Sequence, residues 1–188
     1  MAESVGDFAL PTARDIILRT VVTHTITYFI AGVAAFVLWD YATLMREMSD
    51  TTRPVTDPIV MAGPLFQPIR GVLFGLVFYL LRDAFFARPG GWLGMWLTLL
   101  VVGVIGPFGA PPGSIEGLIY TRLPLSIHLK TGSEIVVQSL LLSMVLCYWV
   151  NHRDKKWLNW TMGVAFVIVI VLPVLGLLTT QSPPDPLN

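Results

Sequence analysis

Cysteine is nearly absent from this chain. A single residue, Cys147, among 188 excludes an intrachain disulfide and leaves no basis for a Cys-built zinc site. Set inside an apolar stretch, it reads as a small buried residue. Charge is scarce too: 13% of residues are charged, against about 25% in an ordinary soluble domain. Twelve Lys and Arg balance twelve Asp and Glu. With no net positive charge and no long Lys/Arg run, the chain carries no surface for nucleic acid. Phosphate-cradle and zinc-protease signatures are missing as well. There is no GxxxxGK[ST], and the glycines at Pro89-Gly90-Gly91 and from Gly103 to Gly113 lack the strand and lysine such a cradle needs. Polar sequence is also in short supply: the longest such stretch, about Met45 to Gly63, is too short to bury a core of its own.

What the chain has is apolar sequence, with 54% hydrophobic residues and a mean hydropathy of +0.70. It falls into five stretches: Ile16 to Leu38, Leu65 to Leu81, Trp92 to Ile105, Ile135 to Trp149 and Leu158 to Leu178. In hydrocarbon a backbone must satisfy its own hydrogen bonds within the segment, so such stretches become helices. The expected fold is an all-α integral membrane protein, a polytopic bundle of about five transmembrane helices over residues 16–44, 65–86, 92–107, 134–150 and 157–179. A single membrane domain fills residues 1–188. Glu3, Asp7 and Asp15 make the leader acidic, and the apolar run passes 20 residues without a small-residue cleavage site, so it reads as a retained first span rather than a secretory signal.

The connection over residues 108–132 is unusual. Ser114 is placed to cap a short helix in which Ile115, Leu118 and Ile119 share a face, and Pro124 ends it. Leu123, Leu125, Ile127 and Leu129 make this segment too apolar for a free loop, so it reads as interfacial or re-entrant. The fourth span is expected to start at a Ser133-Glu134 cap, and the fifth to kink near Pro173. Lys and Arg favour the segments on the N-terminal side by seven to five, reinforced by the tight turn His152 to Lys156. The expectation is therefore a bacterial inner (plasma) membrane protein with a cytoplasmic N-terminus.

Polar residues within the spans carry the functional signal, because each is costly in hydrocarbon. Thr20, His24, Thr27, Ala31 and Ala35 form one helical face that must meet protein or water. His24, with Asp40 at the end of that span, is a candidate proton relay. Asp40 and Arg70 are expected to pair if the first two spans run antiparallel. An outward-facing pocket is expected from Arg70, Glu116, Tyr120, Arg122, His128, Glu134 and Gln138. Small residues at Gly71 and Gly75, and at Ser139, Ser143 and Cys147, mark faces where helices approach closely.

Three functions suit such a pocket. A non-catalytic membrane subunit or scaffold would use it to bind membrane lipid, a small ligand or a partner helix, as a homo-oligomer or beside other membrane subunits. A transporter component would exchange protons or ions through His24 and Glu134. A lipid-modifying enzyme would use His128 as a general base. The residues name no cofactor. Bis-histidine haem is disfavoured because His24, His128 and His152 fall at three depths, which leaves a quinone site near His24 open. Five crossings from a cytoplasmic N-terminus put the C-terminus outside. A reporter active on one face only, fused after Asn188, is expected to report the outer face, and a cytoplasmic signal would refute this topology.

Overall fold

Helix is the only regular structure among the described residues, which are 10–48 and 52–180 of a computed structural model. Helix α1 (Ala13–Leu38) starts at Thr12, whose Oγ1 accepts from the Asp15 N–H at 3.2 Å. It breaks at Trp39–Asp40, where Asp40 takes a left-handed φ of +46°, a conformation that Asp tolerates better than most residues. A short α2 (Tyr41–Glu47) and α3 (Pro58–Met61) lead back to α4 (Gly63–Leu80). After α5 (Arg82–Phe85), α6 (Gly91–Leu100) runs on as a π-helical turn over Val101–Ile105. Then follow α7 (Ile115–Tyr120), α8 (Leu125–Asn151) and α9 (Lys156–Thr180).

Four helices, α1, α4, α8 and α9, are long and apolar enough to cross a bilayer. The helix formed by Gly91–Ile105 is shorter, rising roughly 22 Å against a hydrocarbon core of about 30 Å. The outside of the bundle is apolar, with Val37 and Leu80 each about three-quarters exposed. Such a surface suits a lipid solvent and would aggregate in water.

Helix α1 is the hub, packing against α4, α8 and α9, while α6 packs on α8. The face expected to turn inward does so: Thr20, His24, Thr27, Ala31 and Ala35 are all buried. Its threonines largely satisfy themselves, with Thr20 Oγ1 donating to the Ile16 carbonyl at 2.7 Å and Thr27 Oγ1 to that of Thr23 at 2.9 Å. The glycine pair serves packing within the chain. A Cβ on Gly71 would stand 2.6 Å from the Val21 Cα, and one on Gly75 2.8 Å from the Ile17 Cα. These two contacts fix α1 and α4 as antiparallel neighbours in a single register.

That register overturns the Asp40–Arg70 pair. Arg70 lies level with the residue after Val21, whereas Asp40 is roughly 27 Å further along by helix rise. Asp40 instead accepts from Thr43 Oγ1 at 2.7 Å. This bond, with Arg46 and Lys130 nearby, holds its carboxyl below the usual carboxylate range.

Several boundaries also differ from expectation. The first and second apolar segments are interrupted at Trp39–Asp40 and at Leu81, so residues 16–44 and 65–86 are not continuous helices. Helix α8 begins at Leu125 after Pro124, which turns the last third of the supposed interfacial segment into helix. Ser133 is accordingly no cap: its Oγ donates to the Lys130 carbonyl inside α8. Proline at the residue before a helix fits as a cap because the chain needs no N–H there. Ser114 does cap α7, its Oγ accepting from the Gly117 N–H at 2.9 Å. Helix α9 continues through Pro173. The acidic residues Glu3 and Asp7, and the proline-rich tail after Thr180, lie outside the described residues.

Both glycine contacts are with backbone, which cannot step aside. Gly71→Ala and Gly75→Ala are each expected to destabilise the bundle by about 1–3 kcal/mol, read as earlier thermal unfolding in detergent. Gly32→Ala and Gly163→Ala, where a Cβ meets nothing within 4 Å, should leave the midpoint unchanged.

Candidate functional site

The register that separates Asp40 from Arg70 brings Arg70 to His24. Residues 67, 70, 71 and 74 share one face of α4. With Gly71 seated on α1, Gln67 and Phe74 close over His24 while Arg70 stands beside them. The His24 ring meets Phe74 edge-on at 5.0 Å between centroids, and its Nε2 lies 3.2 Å from Gln67 Oε1. Together with α8 and the π-helical turn these groups enclose a slot of about 70 Å³, lined among others by His24, Arg70, Phe74, Gly103, Gln138 and Ser139. That is room for about two waters. A whole lipid does not fit, but a polar headpiece does.

The proton on His24 can be placed from its neighbours. Gln67 Nε2 donates to the Gly63 carbonyl at 3.1 Å, so the amide turns its oxygen to the imidazole, and His24 Nε2–H is the donor. In the neutral ring Nδ1 is then a bare acceptor. The side chain is 1% exposed, and Nδ1 has no hydrogen-bond partner. Leaving such a group unpaired costs about 1–3 kcal/mol. Arg70, an exposed residue, presents the complementary charge. Its guanidinium lies 5.5 Å from the Phe74 ring centroid, and it has no ion-pair partner among the described residues. The π-helical turn forms one wall through Gly103 and Val104. Wide turns of this kind recur at functional sites.

The residues expected to form one outer pocket do not come together. Arg70 and Gln138 line the slot, joined by His24. Glu134 sits one turn from Gln138 on α8, half-buried, and does not line it. Arg122 borders a separate cleft of about 510 Å³ with Glu47 and Thr52. Glu116 and Tyr120 are exposed on α7. Asp40, the proposed relay partner, lies at the far end of α1 and does not meet His24.

His128 is buried, and the structure engages both its ring nitrogens. Nδ1 accepts from the Gly113 N–H at 3.0 Å, which leaves Nε2–H to donate to Thr121 Oγ1 at 3.4 Å. The Thr121 hydroxyl in turn donates to the Gly117 carbonyl at 2.7 Å. The imidazole thus clasps the start of α8 to both sides of α7. Gly113 needs its missing side chain here, since φ is +93° and a Cβ would stand 3.0 Å from the Gly132 Cα.

Gln67, Ser139 and the π-helical turn were not singled out as site elements from sequence. The i, i+3 spacing of Gln67 and Arg70 on an apolar helix was the available signal. The wide turn has no such signature. No family model matches the chain, and no curated protein or solved structure matches it significantly.

Replacing His128 with Phe keeps the ring but loses both bonds. Faster amide exchange at Gly113, together with a stability loss of about 1–3 kcal/mol, is the expected outcome. Exchange unchanged from the parent protein would show that the clasp holds nothing.

Proposed function

We propose that this protein is a small, non-catalytic integral membrane binding protein that receives the polar head of a membrane-borne ligand in the His24–Arg70–Gln138 slot. One observation carries the reading: a buried, bare acceptor on His24 beside an unpaired cation, in a slot lined by little else that is charged. The ligand chemistry follows from those demands. A hydroxyl suits His24 Nδ1, an anionic or carbonyl oxygen suits Arg70, and the Gln138 amide serves either. The ligand's apolar remainder lies between α4 and α6, which meet through side chains such as Phe74 and Leu99 rather than by close backbone approach.

In this reading the chain crosses an inner (plasma) membrane five times, α6 with its π-helical turn being a short third crossing, and the N-terminus is cytoplasmic. The Lys/Arg excess at the end holding the α8–α9 turn supports that orientation. Binding partners, whether a second copy or other membrane subunits, would take the exposed apolar helix faces. A second reading, a proton-coupled transport component, draws on the same Nδ1: a bare acceptor beside water-sized space also suits a proton.

The test is native mass spectrometry of the protein gently extracted from its own membrane. A retained small molecule with a hydroxyl and an anionic or carbonyl group is expected. Arg70→Ala is expected to lower its retention about tenfold or more, and Gly103→Leu, where a Cβ meets nothing within 4 Å, to displace it by filling the slot. Retention untouched by both substitutions would overturn the proposal. Proton flux in reconstituted vesicles, lost in His24→Gln, would favour the second reading over the first.

A further inference from the structure

A second feature, independent of the slot, lies at the opposite face of α8. Near the α8–α9 turn, α6 and α9 flank α8 without closing over it, leaving a trough of about 560 Å³. That volume falls within the roughly 300–1,000 Å³ of small-molecule sites. Its walls are apolar: Trp92 from α6, Met144 and Val145 from α8, and Leu158 from α9. Its mouth is not. Tyr148 and His152 stand there, their rings stacked at 4.2 Å, and Lys155 Nζ donates to Tyr148 Oη at 2.8 Å while lying 5.0 Å from that ring's centroid. The Tyr148 carbonyl accepts from His152 Nδ1–H at 2.8 Å, which leaves Nε2 for a ligand. Lys155 has no carboxylate partner among the described residues.

The charge around this mouth is one-sided. At the α8–α9 end the described residues include seven Lys or Arg against three carboxylates, Asp15, Asp83 and Asp154. The rest of the described residues hold five of each. Trp157 and Trp160, both well exposed, stand beside the turn. Aromatic and cationic residues at one level are the marks of a headgroup boundary.

We propose that the trough binds an anionic phospholipid, with one acyl chain along Trp92, Met144 and Leu158, the phosphate held by Lys155 and a headgroup hydroxyl donating to His152 Nε2. An apolar channel alone accepts any chain. The cationic mouth makes this one selective, since each Lys or Arg near an anionic surface contributes about a fivefold preference.

The test uses the full chain in micelles with equimolar dioleoyl phosphatidylglycerol and dioleoyl phosphatidylcholine, read by native mass spectrometry. The parent protein is expected to retain phosphatidylglycerol about fivefold or more over phosphatidylcholine. Lys155→Gln combined with His152→Gln should abolish that preference, whereas Arg122→Gln at the other end and Arg70→Ala in the slot should preserve it. Met144→Trp, at a half-exposed position on the wall, narrows the trough and should lower retention of both lipids. Equal retention of the two lipids by the parent, a preference that survives the double substitution, or retention unaffected by Met144→Trp would each overturn the proposal.

Discussion

Two long helices meet with no room for a side chain between their backbones where α4 at Gly71 and Gly75 crosses α1 at Val21 and Ile17. Contacts this short admit neither a side chain nor a different register. Hydrophobic burial is non-directional and does not by itself choose how far one apolar helix slides along another. The glycines make that choice. Because they do, Gln67 reaches His24, Arg70 enters the slot, and Asp40 is carried past the end of its neighbour into the turn before α2. A shift of four residues would keep the same faces together and replace every polar partnership.

Much of the fold was legible in the sequence because hydrocarbon leaves a backbone few options. Helix content, the inward face of α1 and the Ser114 cap all follow from residue type and spacing. The boundaries read less well. Trp39–Asp40 and Leu81 are breaks inside apolar runs, set by local backbone geometry that hydropathy does not report. Pro124 was expected to end α7, yet α7 ends at Tyr120 and the proline opens α8, since proline is compatible with either side of a boundary. The candidate site was legible only in part. Arg70 and Gln138 were read together as part of an outer pocket, but His24 was assigned to a different depth. Depth in a bundle is relative, and it becomes readable only once two helices are registered against one another.

Polar groups in the bundle divide into the satisfied and the waiting. Thr20, Thr25 and Thr27 return their hydroxyl protons to carbonyls of the previous turn, and Arg19 reaches the Trp149 carbonyl and Asn159 Oδ1, each at 3.2 Å, while covering the Trp149 ring. These groups join α1, α8 and α9. His128 is satisfied in the same sense, and its two bonds leave no lone pair free for base chemistry, so the chain's buried histidines have opposite characters. His24 holds one neighbour and keeps a nitrogen open. His128 closes both. Catalytic use of His128 would require undoing the clasp that keeps α7 in place.

The π-helical turn at Val101–Ile105 bears on more than the wall of the slot. A π turn accommodates one more residue than the α turn it replaces, and one residue of α-helix is about 100° of rotation. The chain therefore leaves α6 at Gly106 in a direction turned by more than a quarter circle from the one an uninterrupted helix would give. From Gly106 the chain passes through Pro107 to Gly113, whose N–H His128 holds. A single-residue deletion in this turn would straighten α6 and turn the loop by about the same angle. The extra residue is thus a steering element: it couples the wall of a polar slot at the centre of the bundle to the placement of a helix at its end, by angle alone.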